Sequence, residues 1–219
     1  MSSRDLTPAK IADLRCDYRL QALLETAVEA DPIQQFQYWF SQALQAELPE
    51  PNAMTLATVN TEGQPSARMV LLKGVDPEGF VFYTNYRSRK GQELTHRPWA
   101  ALVFWWAELE RQVRIEGAVA QVSAQETESY FESRPRGSQL GAWVSEQSQV
   151  IGDRTVLEER LQDLEQQYQN QPIPRPLHWG GYRLRPDLIE FWQGRPNRLH
   201  DRLCYQREGE QWCMVRLSP

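Results

Sequence analysis

The spacing of hydrophobic and polar positions changes character twice along the chain. Residues 1–30 carry no sustained apolar face and no strong cap, so they read as an arm, mobile or lightly docked, ahead of one domain over 31–219. Asp31-Pro32 supplies a cap and a proline at the first helical position. Ile33, Phe36, Phe40, Ala43 and Leu44 then share one face of a helix that stops before Pro49. From Met54 the period falls towards two. Met54–Asn60, Ser66–Leu72, Phe80–Thr84, Ala100–Trp106 and Gln112–Val122 alternate or run almost continuously apolar, with turn chemistry at Glu62-Gly63 and across Asp76 to Gly79. Five strands at turn-length spacing predict an antiparallel barrel or sandwich rather than βαβ units.

Helical spacing returns at Ser123, which with Glu126 makes a capping-box pair opening a short helix to about Ser133. A further helix is expected from Asp153, with Leu157, Leu161, Leu164 and Tyr168 on one face, followed by a stiff Pro172–Pro176 connector. Two hairpin-like pairs close the chain: Gly181–Leu184 with Leu188–Gln193, and Leu203–Arg207 with Gln211–Leu217. The expected class is therefore mainly β with helices, an α+β fold. No repeat or low-complexity tract interrupts it.

Composition narrows the field. The chain has 219 residues, 41% hydrophobic and 24% charged, enough for one sizeable core. It contains no apolar run of about 18 residues to span a bilayer. No basic-then-apolar stretch opens it, so no secretory signal is expected. Three cysteines (Cys16, Cys204, Cys213) without a C-x-x-C pair suggest a reducing, cytoplasmic setting. Cys204 and Cys213 could face each other across a hairpin as a disulfide or half a metal site, or be two small strand residues. A net charge of −5 and a pI near 5.4 argue against a dedicated nucleic-acid binder, while leaving room for a local basic pocket.

Dinucleotide, P-loop, zincin and nucleophile-elbow motifs are absent, and the three histidines (His96, His178, His200) lack a ligand spacing, so no metal is expected. What stands out is a set of anion-seeking clusters beside strands. Arg68-Met69-Val70-Leu71-Leu72-Lys73 has a cation at each end, on opposite faces of a regular strand unless its end reorients one of them. Tyr83-Thr84 ends the next strand. Arg87-Ser88-Arg89-Lys90 then opens a helix, as a phosphate site or as a solvated basic turn. Arg134 could bind an anion or complement a helix dipole, and Trp105-Trp106 suits core or interface packing. Phe191 to Arg202 packs three arginines, a histidine and a tryptophan into twelve residues, a poor core segment. Two phosphate-type clusters with aromatics and amides fit a site for two planar, phosphorylated molecules.

Together these stretches resemble the pyridoxamine 5′-phosphate oxidase family. The resemblance runs through R-M-V-L-L-K (68–73), V-F-Y-T-N (81–85), S-R-K (88–90) and E-R-Q-V (110–113). It continues through Y-F-x-S-R-P-R-x-S-Q (130–139), G-A-W-V-S-x-Q-S (141–148), E-F-W-Q-G (190–194) and R-L-H-D-R (198–202). It implies an FMN-binding split barrel of antiparallel Greek-key type with flanking helices, and a homodimer with two sites at the subunit interface. It also implies oxidation of pyridoxamine or pyridoxine 5′-phosphate to pyridoxal 5′-phosphate by molecular oxygen, as in vitamin B6 salvage. By motif match the flavin contacts fall on Arg68, Met69, Val70, Leu71, Leu72, Lys73, Tyr83, Thr84, Arg89, Lys90, Gln112, Gln147, Ser148, Trp192 and Arg202. Substrate contacts fall on Arg15, Tyr18, Lys73, Tyr130, Arg134, Ser138, Arg198, Leu199 and His200, with Arg198 and His200 nearest the chemistry. Two departures stand out: Cys16 replaces a basic residue of the arm pattern, and Glu50 precedes Pro51 where the family has Asp. A non-catalytic flavin or pyridoxal-phosphate carrier, or a single-strand nucleic-acid module, are the competing readings. Retention of both halves of the site and the acidic balance weigh against them.

Overall fold

The computed structural model describes residues 17–219. Nine strands form one antiparallel sheet: β1 (Ala53–Val59), β2 (Pro65–Leu71), β3 (Gly74–Asp76), β4 (Gly79–Asn85), β5 (Trp99–Trp106), β6 (Arg111–Gln121), β7 (Trp179–Gln193), β8 (Asp201–Glu208) and β9 (Gln211–Arg216). Neighbours run β2-β1-β5-β6-β7-β4-β3, with β8 on β7 and β9 on β8. The two ends of that order, β2 and β3, are joined by only Leu72 and Lys73. So short a link forces the ends together and curls the sheet into a split barrel. Alternate residues of β1, β5 and β6 (Leu56, Leu102, Phe104, Val113, Ile115) point inward and are fully buried.

Helix α1 (Pro32–Gln45) closes one end. Asp31 accepts from the Ile33 N–H at 2.8 Å, and Pro32 sits in the first turn, where an N–H has no helical partner to lose. Its buried face lies on the barrel core, with Phe36 edge-on to Phe80 at 4.9 Å. Helices α2 (Arg89–His96), α3 (Ala124–Ser133), α4 (Arg136–Val144) and α5 (Thr155–Gln167) flank the sheet. Phe131, Leu140, Ala142, Ile173 and Trp179 form a second, smaller core there. Of the expected arm, the described part from Asp17 onward lies against the barrel. The Arg19 and Leu20 N–H groups donate to Glu110, the Leu23 N–H to Asp201, and the Arg111 guanidinium to Gln21.

Two expectations are corrected, and one helix appears that was not expected. Gly181–Leu184 and Leu188–Gln193 do not form a hairpin; they are halves of one fifteen-residue strand, β7. Arg185-Pro186-Asp187 stays extended because β6 pairs with β7 from Tyr182 to Gln193, slipping register between Glu116 and Gly117 opposite the proline. Gly117 permits the slip, since a Cβ there would lie 2.0 Å from the Arg185 carbonyl. Helix α4 escaped notice because Pro135 precedes it and Gly137 and Gly141 dilute its pattern. Finally, Ser123 caps α3 through the Glu126 N–H, but the Glu126 carboxylate turns to Arg183 instead of completing the box.

Candidate active site

A cavity of about 420 Å³ opens between β2, β4, the start of β7 and helices α2 to α4. Met69, Val70, Leu71 and Lys73 line one wall, and Tyr83, Thr84 and Asn85 line another. Lys90 and Gln147 stand at one side, Tyr130, Arg134, Ser138 and Trp179 at the other. Tyr83 and Tyr130 stack at 3.9 Å, with Trp179 parallel to Tyr83 at 5.4 Å, giving the cavity a flat aromatic flank. Burial above all, with Glu126 nearby, pushes the Tyr83 phenol up to about 12, so it is neutral at physiological pH.

Three cations, Lys73, Lys90 and Arg134, meet this space without a carboxylate partner among the described residues. Lys90 is buried, and its ammonium donates only to the Thr84 hydroxyl at 3.2 Å and the Gln147 side-chain carbonyl at 2.9 Å. Burial first, and Arg68 second, pull its pKa down, while Glu93 opposes them. Arg134 leaves the end of α3 and lays its guanidinium over Trp179, 4.4 Å from the ring centroid, with Nη1 buried and unpaired. A buried, unsatisfied donor is costly unless a ligand meets it.

Around Lys90 the start of α2 is built for an anion. Ser88 caps the helix through the Gly91 N–H, and the Arg89 N–H donates to the Ser148 hydroxyl. Ser148 takes a left-handed φ of 74°. Glu93, one turn after Arg89, accepts from Arg89 Nε at 2.9 Å, Arg68 Nη2 at 3.2 Å and the Ser66 hydroxyl at 2.7 Å. Burial alone would raise its pKa. The hydroxyls of Thr58 and Ser66, then Arg89 and Arg68, outweigh it and hold the carboxyl at about 2.

The remaining expected residues gather elsewhere, on the outer face of β5 to β8. Gln112 pairs with both Trp105 and Trp192 across the ladders. Trp192 packs on His200 at 4.6 Å and edge-on to Tyr18 at 5.7 Å, with Trp105 at 5.9 Å. The Arg195 N–H donates to His200 Nδ1 at 3.1 Å, which leaves the neutral ring's proton on Nε2. Asn197 and Arg198 both take left-handed φ near 60° (59° and 61°), a strained pair exposed to solvent beside Leu199. Arg202 is held by Glu190.

The structure thus divides the expected set. Met69, Val70, Leu71, Lys73, Tyr83, Thr84, Lys90, Gln147, Tyr130, Arg134 and Ser138 share the cavity. Arg68, Arg89 and Ser148 stand behind it around Glu93 and the α2 start, and Leu72 is buried in the core. Tyr18, Gln112, Trp192, Arg198, Leu199, His200 and Arg202 are not brought to it. Arg15 lies outside the described residues. Lys73 reaches the cavity because β2 ends at Leu71, which frees it from strand alternation. Trp106 is core and Trp105 outer face. Cys204 and Cys213 are both free strand residues, as the second of the two readings has it, with Cys204 opposite Val215 and Cys213 opposite Gln206. Sequence reasoning passed over Trp179, Asn85, Glu93 and Glu190; the i to i+4 spacing of Arg89 and Glu93 was the one local signal.

A curled antiparallel barrel with an aromatic-flanked, cation-lined cavity is of the split-barrel class. Residues 40–168 match the family described as pyridoxamine 5′-phosphate oxidase, and residues 179–219 match the pyridoxine 5′-phosphate oxidase C-terminal dimerisation region. The chain belongs to the pyridoxine/pyridoxamine 5′-phosphate oxidase family. It is 74% identical to the pyridoxine/pyridoxamine 5′-phosphate oxidase of Acaryochloris marina over 100% of both chains. It is 68% identical to that of a Cyanothece species, over 95% of this chain and 98% of the other. Among solved structures, PhzG of Burkholderia lata, in complex with tetrahydrophenazine-1-carboxylic acid, superposes with a TM-score of 0.86 at 32% identity, covering 91% of this chain and 99% of that one. A pyridoxamine 5′-phosphate oxidase-related, FMN binding protein of Nostoc punctiforme shares the fold, with a TM-score of 0.68 at 19% identity over 84% of this chain and 97% of that one.

Proposed function

We propose that this protein oxidises the 4′-aminomethyl or 4′-hydroxymethyl group of pyridoxamine or pyridoxine 5′-phosphate to the aldehyde of pyridoxal 5′-phosphate. FMN is the cofactor and molecular oxygen the final oxidant. Hydrogen peroxide is released, and ammonia as well when water completes oxidation of the amine. The observation that carries this reading is one cavity lined by three cations, Lys73, the buried Lys90 and the half-buried Arg134 with its Nη1 enclosed, that have no carboxylate partner among the described residues.

The residues present fit a flavin mononucleotide. Three cations (Arg68, Arg89, Lys90) against one carboxylate (Glu93) leave a net +2 at the start of α2. That complements a phosphate monoester of charge near −2. FMN, when bound, supplies the two-electron acceptor and passes the electrons to oxygen. Arg134, Lys73, Tyr130 and Ser138 hold the substrate phosphate, with the orphaned Nη1 of Arg134 as the strongest contact. Arg198 and His200 come from a second protomer. The outer face that carries them exposes Trp105 and Leu199, and the cavity wall exposes Met69 and Leu71, apolar surfaces suited to a homodimer whose two sites each take one protomer's cavity and the other's outer face. Arg198 lies over the pyridine ring, and His200 presents its Nε2–H beside it. Tyr18, packed on Trp192 and His200, shields them from water.

The test is direct. Purified protein should be yellow, release FMN on heating, and bleach without oxygen when pyridoxine 5′-phosphate is added. Released FAD would refute the cofactor assignment, and an unbleached flavin would refute the substrate.

A further inference from the structure

Glu190 belongs to neither expected set of contacts, yet the geometry gives it a task. It lies on the outer face of β7 and is only 3% exposed, an uncommon setting for a carboxylate. Its two oxygens grip Arg202 as a fork, Oε1 to Nε at 2.8 Å and Oε2 to Nη2 at 3.1 Å. Oε2 also takes a bond from Arg114 Nη1 at 3.2 Å. The pairing is diagonal across the β7–β8 ladder, where Glu190 faces Cys204 and Arg202 faces Trp192. From the other side, Arg202 Nη1 donates to the Ser218 carbonyl at 2.8 Å.

A guanidinium has five N–H bonds. Three of those on Arg202 are committed, which leaves one N–H on each terminal nitrogen as its free fork of donors. A buried ion pair stabilises a fold no better than apolar packing of the same volume. Stability alone therefore gives no reason for a carboxylate here, whereas fixing the direction of the free fork does. We propose that Glu190 is the positioning residue of the flavin site, locking Arg202 in one rotamer so that its free fork meets the flavin in the neighbouring protomer's cavity. The inference rests on the reading that Arg202 contacts FMN. Preordering a long side chain lowers the entropy lost on binding, so the benefit should appear in FMN affinity.

The experiment is a double-mutant cycle on apo-dimer, with FMN dissociation constants read from quenching of flavin fluorescence. Glu190→Gln should weaken FMN about tenfold, and Arg202→Ala at least as much. The double variant should bind no more weakly than Arg202→Ala alone, because Glu190 acts only through that arginine. If Glu190→Gln weakens FMN equally in the Arg202→Ala background, it acts through the fold or the dimer and the proposal is overturned. If Arg202→Ala weakens FMN while Glu190→Gln does not, the proposal also falls but the site reading stands. If Arg202→Ala leaves FMN binding intact, the reading itself fails. Should Glu190→Gln not give a dimer, Glu190→Asp keeps the charge but shortens the arm, and the same outcomes decide.

Discussion

Replacing Arg134 with methionine should make the protein more stable and a far poorer catalyst. Nη1 of Arg134 is buried without a partner among the described residues. Burial, the leading influence, pulls its pKa below the ordinary arginine value. An orphaned donor of this kind costs about 1–3 kcal/mol. The guanidinium recovers about 0.5–1 kcal/mol through its face-on contact with Trp179 at 4.4 Å. A methionine sulfur on the same ring would contribute a similar amount without a charge to desolvate. The net gain is about 1 kcal/mol, or about 2–4 °C in Tm for a chain of this length. Catalysis moves the other way. Losing a charge-assisted contact to the substrate phosphate costs about 2–5 kcal/mol, which at about 1.4 kcal/mol per decade lowers kcat/KM by about 30-fold to a few thousand-fold. The phosphate is remote from the reacting carbon and is held alike before and during reaction, so most of the loss should fall on KM. Calorimetry of substrate-free protein and steady-state kinetics measure the two arms. A lowered Tm would show that Arg134 is satisfied without ligand, and an unchanged KM that the substrate phosphate sits elsewhere.

Glu93, held at about 2, contributes stability that is complete above the unfolded carboxyl range and is lost between about pH 4.5 and 2. Glu93→Ala should therefore cost about 1–2 kcal/mol at neutral pH, discounted for the exposed Arg89 partner, and urea titrations should show that gap closing on acidification; a constant gap contradicts the assignment. His200 is pulled below its usual 6.5 by burial and then by Arg198, so its ring should be neutral at pH 7. Its NMR titration midpoint should lie under 6.5 and rise in Arg198→Ala, and a midpoint above 6.5 refutes this. Trp105→Glu puts a charge on the outer face and should give a monomer by light scattering with loss of bound FMN, whereas an intact dimer would move the interface elsewhere.

Local chemistry made much of the fold legible. Asp31-Pro32 announced α1, and alternation placed β1, β2, β4, β5 and β6 within a residue or two of their observed ends. What failed did so where tertiary pairing overrides local signal. Arg185-Pro186 reads as a turn in isolation, and only β6 alongside, with Gly117 yielding at the bulge, keeps it extended. The site followed the same rule. Motif matching found groups that line the cavity, because they sit in contiguous runs. It passed over Glu93 and Glu190, whose bonds to Arg68 and Arg202 reach to other elements, and Trp179, whose stacking under Arg134 exists only once α3 packs on β7.

The proposed division of the site between a cavity and an opposite outer face has a genetic consequence. If each centre borrows half its residues from the other chain, two inactive variants can rescue one another. A chain damaged at Arg134 and a chain damaged at Arg202 would form mixed dimers in which one centre carries both lesions and the other carries none. Random reassortment makes half the dimers mixed, so about a quarter of the original activity should return from two dead parents. Two lesions within the cavity set, Arg134 and Lys90 for instance, could never complement in this way.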